Sequence, residues 1–127
     1  MKTILIADDD PDLRLALQLR LSVNHYSVVH ASDGRSAIAR ARDSNPDLIL
    51  VDLGMPAGDG FSVIDLLKAN AKTAWIPIVV LTGRDRRGNV NPALNGGARA
   101  FLQKPVENSR LLGVIQRELR AGFRYSF

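Results

Sequence analysis

Cysteine is absent from all 127 residues, which excludes disulfides and thiolate-bound metals. Histidine occurs only as His25 and His30, and both read as structural or surface residues rather than ligands or catalysts. Long hydrophobic runs are also missing. The longest, Ile76 to Leu81, is interrupted by Pro77 and falls far short of a membrane span. The opening Met1-Lys2-Thr3 runs directly into an apolar strand-like segment and three aspartates, unlike a signal peptide. A cytoplasmic protein with no membrane partner is expected. Aromatic residues are only 6% of the chain, and no helix-turn-helix, zinc-finger or RNA-platform pattern accompanies the basic residues. A direct nucleic-acid role is therefore not expected, despite a net charge of +4.

What is present suits one globular domain. Hydrophobic residues make up 46% and charged residues 24%, and the length is enough to bury a core without staples. Short apolar runs alternate with longer amphipathic segments, the pattern of successive βα units around a parallel sheet. Strands are expected at about 2–7, 26–30, 47–52, 76–81 and 99–103. The domain is expected to occupy 1–120, with 121–127 as a tail.

Local pattern misleads at the first helix. Leu13, Leu15, Leu17, Leu19 and Leu21 alternate with polar or small residues, which is a strand's period. The start signals decide for a helix: Asp10 can cap it, Pro11 fits the first position and Asp12 complements the dipole. Leu13, Leu17 and Leu21 then form the inner stripe. Leu15, furthest from it, either belongs to a wide core face or stays exposed for a partner. A second helix is expected from Asp33-Gly34 to about Asp43, with Ala37, Ile38 and Ala41 inward. A third follows Asp59-Gly60, with Phe61, Ile64 and Leu67 inward. Gly88, Pro92, Gly96 and Gly97 oppose a long fourth helix; Asn91 as cap with Pro92 next would start a short, mobile one. The last is expected over about 106–120, with Leu111, Leu112, Ile115 and Leu119 inward.

Four of the apolar runs end in polar groups: Asp8 and Asp9, Asp52, Thr82, and Lys104. In an open α/β sheet, ligands bind outside the carboxyl ends of the strands. Residues up to 96 positions apart therefore converge there. Carboxylates brought to about 4 Å repel by roughly 4 kcal/mol at an effective dielectric near 20, so such a site needs a cation. Oxygen ligands without histidine or cysteine point to Mg²⁺. With a metal bound, one carboxylate can act as nucleophile and form an aspartyl phosphate. Asp52, alone on the central strand, is the best candidate, while adjacent Asp8 and Asp9 suit ion binding. Lys104 can neutralise phosphoryl charge, the Thr82 hydroxyl can bind a phosphoryl oxygen, and Gly54 lets the backbone approach the metal.

The segments Ile4-Leu5-Ile6-Ala7-Asp8-Asp9-Asp10-Pro11, Asp52-Leu53-Gly54-Met55-Pro56 with Asp59-Gly60, Leu81-Thr82-Gly83, and Phe101-Leu102-Gln103-Lys104-Pro105 carry a resemblance. Over essentially its full length the chain resembles the receiver domain of a two-component response regulator. The resemblance implies a flavodoxin-like, CheY-like doubly wound sheet of five parallel strands in order 2-1-3-4-5, with five helices. It implies that Asp52 accepts a phosphoryl group from a sensor histidine kinase or histidine phosphotransfer protein. Asp9, Asp52 and the Gly54 carbonyl would ligate Mg²⁺, with Asp8 helping through water. Thr82 and Lys104 would contact the phosphoryl group, and the Lys104–Pro105 bond would be cis. Phe101 matches the family's switch aromatic, which turns inward as Thr82 moves and alters the face of the fourth helix, fifth strand and fifth helix. An ordinary core Phe is the alternative.

Such a protein is a phosphoacceptor regulator with slow self-dephosphorylation, not an enzyme. Its output would be a downstream protein, a lost effector domain, or a homodimer through that same face. Phe123, Tyr125 and Phe127 in the tail could pack back on the domain or dock on another chain, with a disordered end as the default. Two other functions compete. A degenerate receiver would act only as a binding module. A phosphohydrolase of the haloacid dehalogenase type needs a second aspartate two residues after the nucleophile, where this chain has Gly54.

Overall fold

A computed structural model describes residues 1–124, with side chains through Ala121. The aromatic tail side chains Phe123, Tyr125 and Phe127 lie outside the described residues. The chain alternates strictly: β1 (Thr3–Ala7), α1 (Pro11–Val23), β2 (Ser27–Ala31), α2 (Gly34–Ser44), β3 (Leu48–Val51), α3 (Gly60–Ala69), β4 (Ile78–Thr82), α4 (Val90–Gly96), β5 (Ala100–Gln103) and α5 (Asn108–Arg124). The five strands form one parallel sheet in the order β2-β1-β3-β4-β5. This is the expected flavodoxin-like order.

Successive strand residues face opposite sides, and the sequence fills both with aliphatic groups. Leu5, Ala7, Ile49, Val51, Ile78, Val80 and Phe101 pack beneath α2, α3 and α4. Ile4, Ile6, Leu48, Leu50, Val79, Leu81 and Leu102 pack beneath α1 and α5. Central strands buried on both faces explain why β3 and β4 read as unbroken apolar runs.

The helix starts follow their caps. Asp10 accepts the Asp12 and Leu13 amides at 3.0 and 3.3 Å, so α1 begins at Pro11 despite its alternating leucines. Leu17 and Leu21 are buried, but Leu15 and Leu19 are 56% and 62% exposed. The wide-core-face alternative is thereby excluded. Asp33 closes a capping box with Ser36, and Asp59 accepts the Ser62 amide at 3.0 Å to start α3. On α3, Val63, Ile64 and Leu67 are buried, while Phe61 is half-buried against the core.

Two helices depart from expectation. Cap and start of α4 lie at Asn89 and Val90, not at Asn91 and Pro92. Pro92 is third in the helix, where its missing N–H would have had no intrahelical partner anyway. At seven residues α4 is still the shortest helix. α5 starts at Asn108, with the Leu111 amide bonded to the Glu107 carbonyl at 3.0 Å, and continues to Arg124, so 121–124 extend the helix. Leu111 and Ile115 are buried as expected, whereas Leu119 is only half-buried and its neighbour Glu118 is buried at 5% exposure.

Candidate functional site

The sheet ladder continues past the strands and carries the polar groups into register. The Asp8 amide bonds the Ala31 carbonyl at 3.0 Å, the Asp52 amide the Ala7 carbonyl at 2.9 Å, and the Lys104 amide the Thr82 carbonyl at 2.7 Å. Asp8, Asp52 and Lys104 thus each follow the last residue of a strand, and Thr82 is the last residue of β4. Asp8, Asp9, Asp52, Thr82 and Lys104 meet at one carboxyl edge.

Asp8 is 3% exposed and fixed through both oxygens. Oδ1 accepts the Asp10 amide at 2.9 Å and Oδ2 accepts Lys104 Nζ at 2.7 Å. Asp52 is held differently. Its Oδ1 accepts Thr82 Oγ1 at 2.7 Å and the Gly54 amide at 3.2 Å, while Lys104 Nζ lies 3.5 Å from Oδ2. Lys104 therefore bridges two carboxylates 44 residues apart in sequence. Asp9 is exposed and completes a group of three carboxylates whose nearest oxygens all lie within 4.8 Å of one another. Lys104 meets two of the three carboxylates, and the Arg14 guanidinium donates to the Asp8 carbonyl, so the cluster retains net negative charge that a divalent cation would offset. The donors are all oxygen, the set a hard cation such as Mg²⁺ takes. At Gly54 a Cβ would come no closer than 4.0 Å to an Asp52 oxygen, so the site has free space on that side.

Two glycines read from the sequence only as marks of helix starts also shape the loop behind Asp52. A Cβ on Gly60 would fall 2.6 Å from Leu53 Cα and 2.7 Å from the Asp52 carbonyl oxygen. A Cβ on Gly34 would fall 2.2 Å from the Gly58 carbonyl oxygen, where the Gly34 and Arg35 amides bond the Pro56 and Ala57 carbonyls at 3.1 Å. The start of α2 therefore clamps the loop. The only local signal was glycine at a first helical turn, directly after a capping aspartate.

Phe101 is inward, 5% exposed, and paired in register with Val80. Arg86 covers it: the guanidinium lies 5.5 Å from the ring centroid and Nη1 donates to the Phe101 carbonyl at 3.0 Å. The Lys104–Pro105 bond is cis, as the resemblance implied. His30 lies outside the cluster: its Nε2 meets Gln18 Oε1 at 2.9 Å, and its Nδ1 is buried with no partner.

A doubly wound sheet in this order, with an acid cluster, a hydroxyl and an ammonium at its carboxyl edge, defines a class of flavodoxin-like α/β domain with its site at the strand-end crevice. The family model for the response regulator receiver domain matches residues 4–116, and the chain belongs to that family. It is 40% identical over 114 residues to response regulator PleD of Caulobacter vibrioides, covering 89% of this chain and 25% of PleD. It thus spans about a quarter of that relative's length. It is 35% identical to protein PilH of Pseudomonas aeruginosa, covering 91% of this chain and 95% of PilH. The receiver domain of a Pseudomonas aeruginosa sensor histidine kinase, solved with magnesium coordinated in its active-site cleft, superposes with a TM-score of 0.86. Its identity is 28%, over 93% of this chain and 97% of that one. Among the described residues, no helix is long and apolar enough to cross a membrane.

Proposed function

We propose that the domain is a phosphorylation-operated signalling switch in which Asp52 is the phosphoacceptor. The convergence of Thr82 Oγ1 and Lys104 Nζ on opposite oxygens of Asp52, beside Asp8 and Asp9, carries this reading. An Asp52 oxygen attacks the phosphorus of a phosphohistidine on a sensor histidine kinase or phosphotransfer protein. A P–O bond forms, the P–N bond breaks, and the imidazole leaves with the electron pair of that bond. Asp8, Asp9, the Asp52 side chain and the Gly54 carbonyl would hold Mg²⁺, which when bound supplies positive charge to the transferring group. Lys104 shares that neutralisation from the other side, and Thr82 gives up its bond to Asp52 to donate to a phosphoryl oxygen.

That exchange is the trigger. Thr82 ends β4, and Phe101 pairs with Val80 in the adjacent strand, beneath the Arg86 guanidinium. Movement of Thr82 toward the phosphoryl group opens space that the Phe101 ring fills more deeply, altering the face made by α4, β5 and α5. Output then passes by contact with a downstream protein. Leu15 and Leu19, exposed on the helix that starts beside the acid cluster, offer an apolar surface to the phosphodonor protein. Loss of the phosphoryl group to water is slow, so the domain holds a state rather than turning over substrate.

The test is incubation with Mg²⁺ and acetyl phosphate followed by intact mass measurement. One added phosphoryl group is expected, and none in Asp52→Asn. A phosphoryl adduct that persists in that variant moves the nucleophile elsewhere. Catalytic turnover of a phosphate ester without a stable adduct would make the protein a phosphohydrolase instead.

A further inference from the structure

Between α4, β5 and α5 lies a groove of about 450 Å³. Four arginines from three segments of the chain line it: Arg86 ahead of α4, Arg99 ahead of β5, and Arg110 and Arg117 on α5. No acidic residue is among those lining it. Its apolar wall includes Leu94, 41% exposed, and Val114.

Three of these arginines are anchored. Arg86 is fixed by the Phe101 carbonyl and ring. Arg117 Nε donates to Oε1 of one buried acid, Glu118, at 3.3 Å, while Arg99 Nε lies 3.4 Å from its Oε2 as an ion pair without a hydrogen bond. Both contacts use Nε, which leaves the terminal guanidinium nitrogens of Arg99 and Arg117 for another acceptor. A single buried carboxylate against four guanidiniums leaves the groove with an excess of about three positive charges. Ordering a long side chain costs about 0.5–1.5 kcal/mol on binding, and the contacts already made by Arg86, Arg99 and Arg117 offset part of that cost.

We propose that this groove is an arginine cradle for an acidic segment of a protein partner, glutamate- or aspartate-rich with apolar residues between. This partner chemistry rests on the reading of the face as the output surface. Guanidinium forks match carboxylates in planar pairs, and the apolar wall takes the intervening side chains. A second copy of this chain does not fit. A twofold contact sets each patch against its own kind, and here that opposes four arginines with four. Nucleic acid fits less well, because the aromatic at the groove, Phe101, is 5% exposed and covered by Arg86 rather than free to stack on a base.

The test is fluorescence anisotropy on the full chain with a labelled peptide of glutamates interspersed with leucines. A lysine-for-glutamate counterpart and a single-stranded oligothymidine serve as competing probes. The acidic peptide is expected to bind and to weaken steeply with salt, while the lysine peptide does not bind. Arg110→Glu should weaken it about tenfold or more, roughly 1.4 kcal/mol. Arg110 makes no ion pair or hydrogen bond among the described residues, so an unchanged melting temperature is expected alongside. Equal binding of both peptides, or no effect of Arg110→Glu, overturns the proposal. Displacement by oligothymidine makes nucleic acid the occupant, and a dimer lost in Arg110→Glu makes a second copy the occupant. Phosphorylation is read separately by mass: a domain that phosphorylates but ignores the peptide refutes the cradle and leaves the switch intact. A domain that binds the peptide but never phosphorylates refutes the switch.

Discussion

Two charged regions flank β5, and they are built on opposite plans. At the carboxyl edge, three carboxylates cluster, one ammonium bridges two of them, and nearly every oxygen of Asp8 and Asp52 is already engaged. On the adjacent face, four guanidiniums line one groove and two of them meet a buried carboxylate, Glu118. Each holds an excess of one sign, but only the first is dry enough for that excess to be costly. The acid site is therefore incomplete in energetic terms and calls for a small cation. The basic groove, open to water, tolerates its excess and suits a large acidic partner. One structural link between them is short: Thr82 bonds Asp52, Phe101 sits one strand away, and Arg86 covers Phe101.

The largest expected effect lies at the acid cluster. At a Mg²⁺ concentration a hundredfold above its Kd, stabilisation of about 2.7 kcal/mol is expected, read as a rise in melting temperature reversed by chelator. Asp9→Asn should remove most of that rise, because it takes one ligand from the set without disturbing the Lys104 bridge. Arg110→Glu should leave it unchanged. A Mg²⁺ effect of equal size in Asp9→Asn would show that the cation binds elsewhere and would dissolve the contrast between the two regions.

The same contrast explains what could be read from the chain and what could not. β3 and β4 were legible because both faces of a central parallel strand are apolar, and the site was legible because each such run stops at a polar group. The first helix was legible only through Asp10 and Pro11, since its leucines carry the wrong period for its fold. Gly34 and Gly60 were not legible as packing residues, because the backbone they admit comes from the loop after β3 rather than from a neighbour in sequence. The start of α4 was misplaced because Asn-Pro is a strong local signal, yet proline is harmless at the third position. The groove was invisible, as its arginines come from three elements. One clue was available: Glu118 lies three residues after Ile115 and seven after Leu111, an acid on the inner stripe of α5.

A smaller effect separates pH from both regions. The arginine side chain in general keeps its charge near neutrality and is indifferent to pH there. His30 is not: burial first, and the Arg14 charge second, hold its pKa below the ordinary 6.5. The native state therefore resists a proton that the unfolded chain accepts. Stability is complete above about pH 6.5, falls as pH drops toward the lowered native value, and levels off below it. One proton bounds the slope at about 1.4 kcal/mol per pH unit. Denaturant midpoints measured between about pH 5 and pH 8 should show this slope, and His30→Gln should flatten it. If the slope survives in His30→Gln, another group carries it.

Glu118→Leu should change stability least of all and still distinguish the two plans. Replacing a buried ionic group by an aliphatic one of similar size is often near neutral, so a change within about 1 kcal/mol is expected. Its partners can turn to solvent, since the Arg99 and Arg117 side chains are 41% and 61% exposed. What the acid contributes is order rather than free energy. In ¹⁵N relaxation measurements, the Nε–Hε groups of Arg99 and Arg117 should lose order in Glu118→Leu. Arg86, held by Phe101, should keep it and serves as the internal reference. A stability loss of several kcal/mol with unchanged arginine order would make Glu118 an ordinary buried ion-pair partner. The groove would then be a surface of independent arginines rather than a preformed cradle.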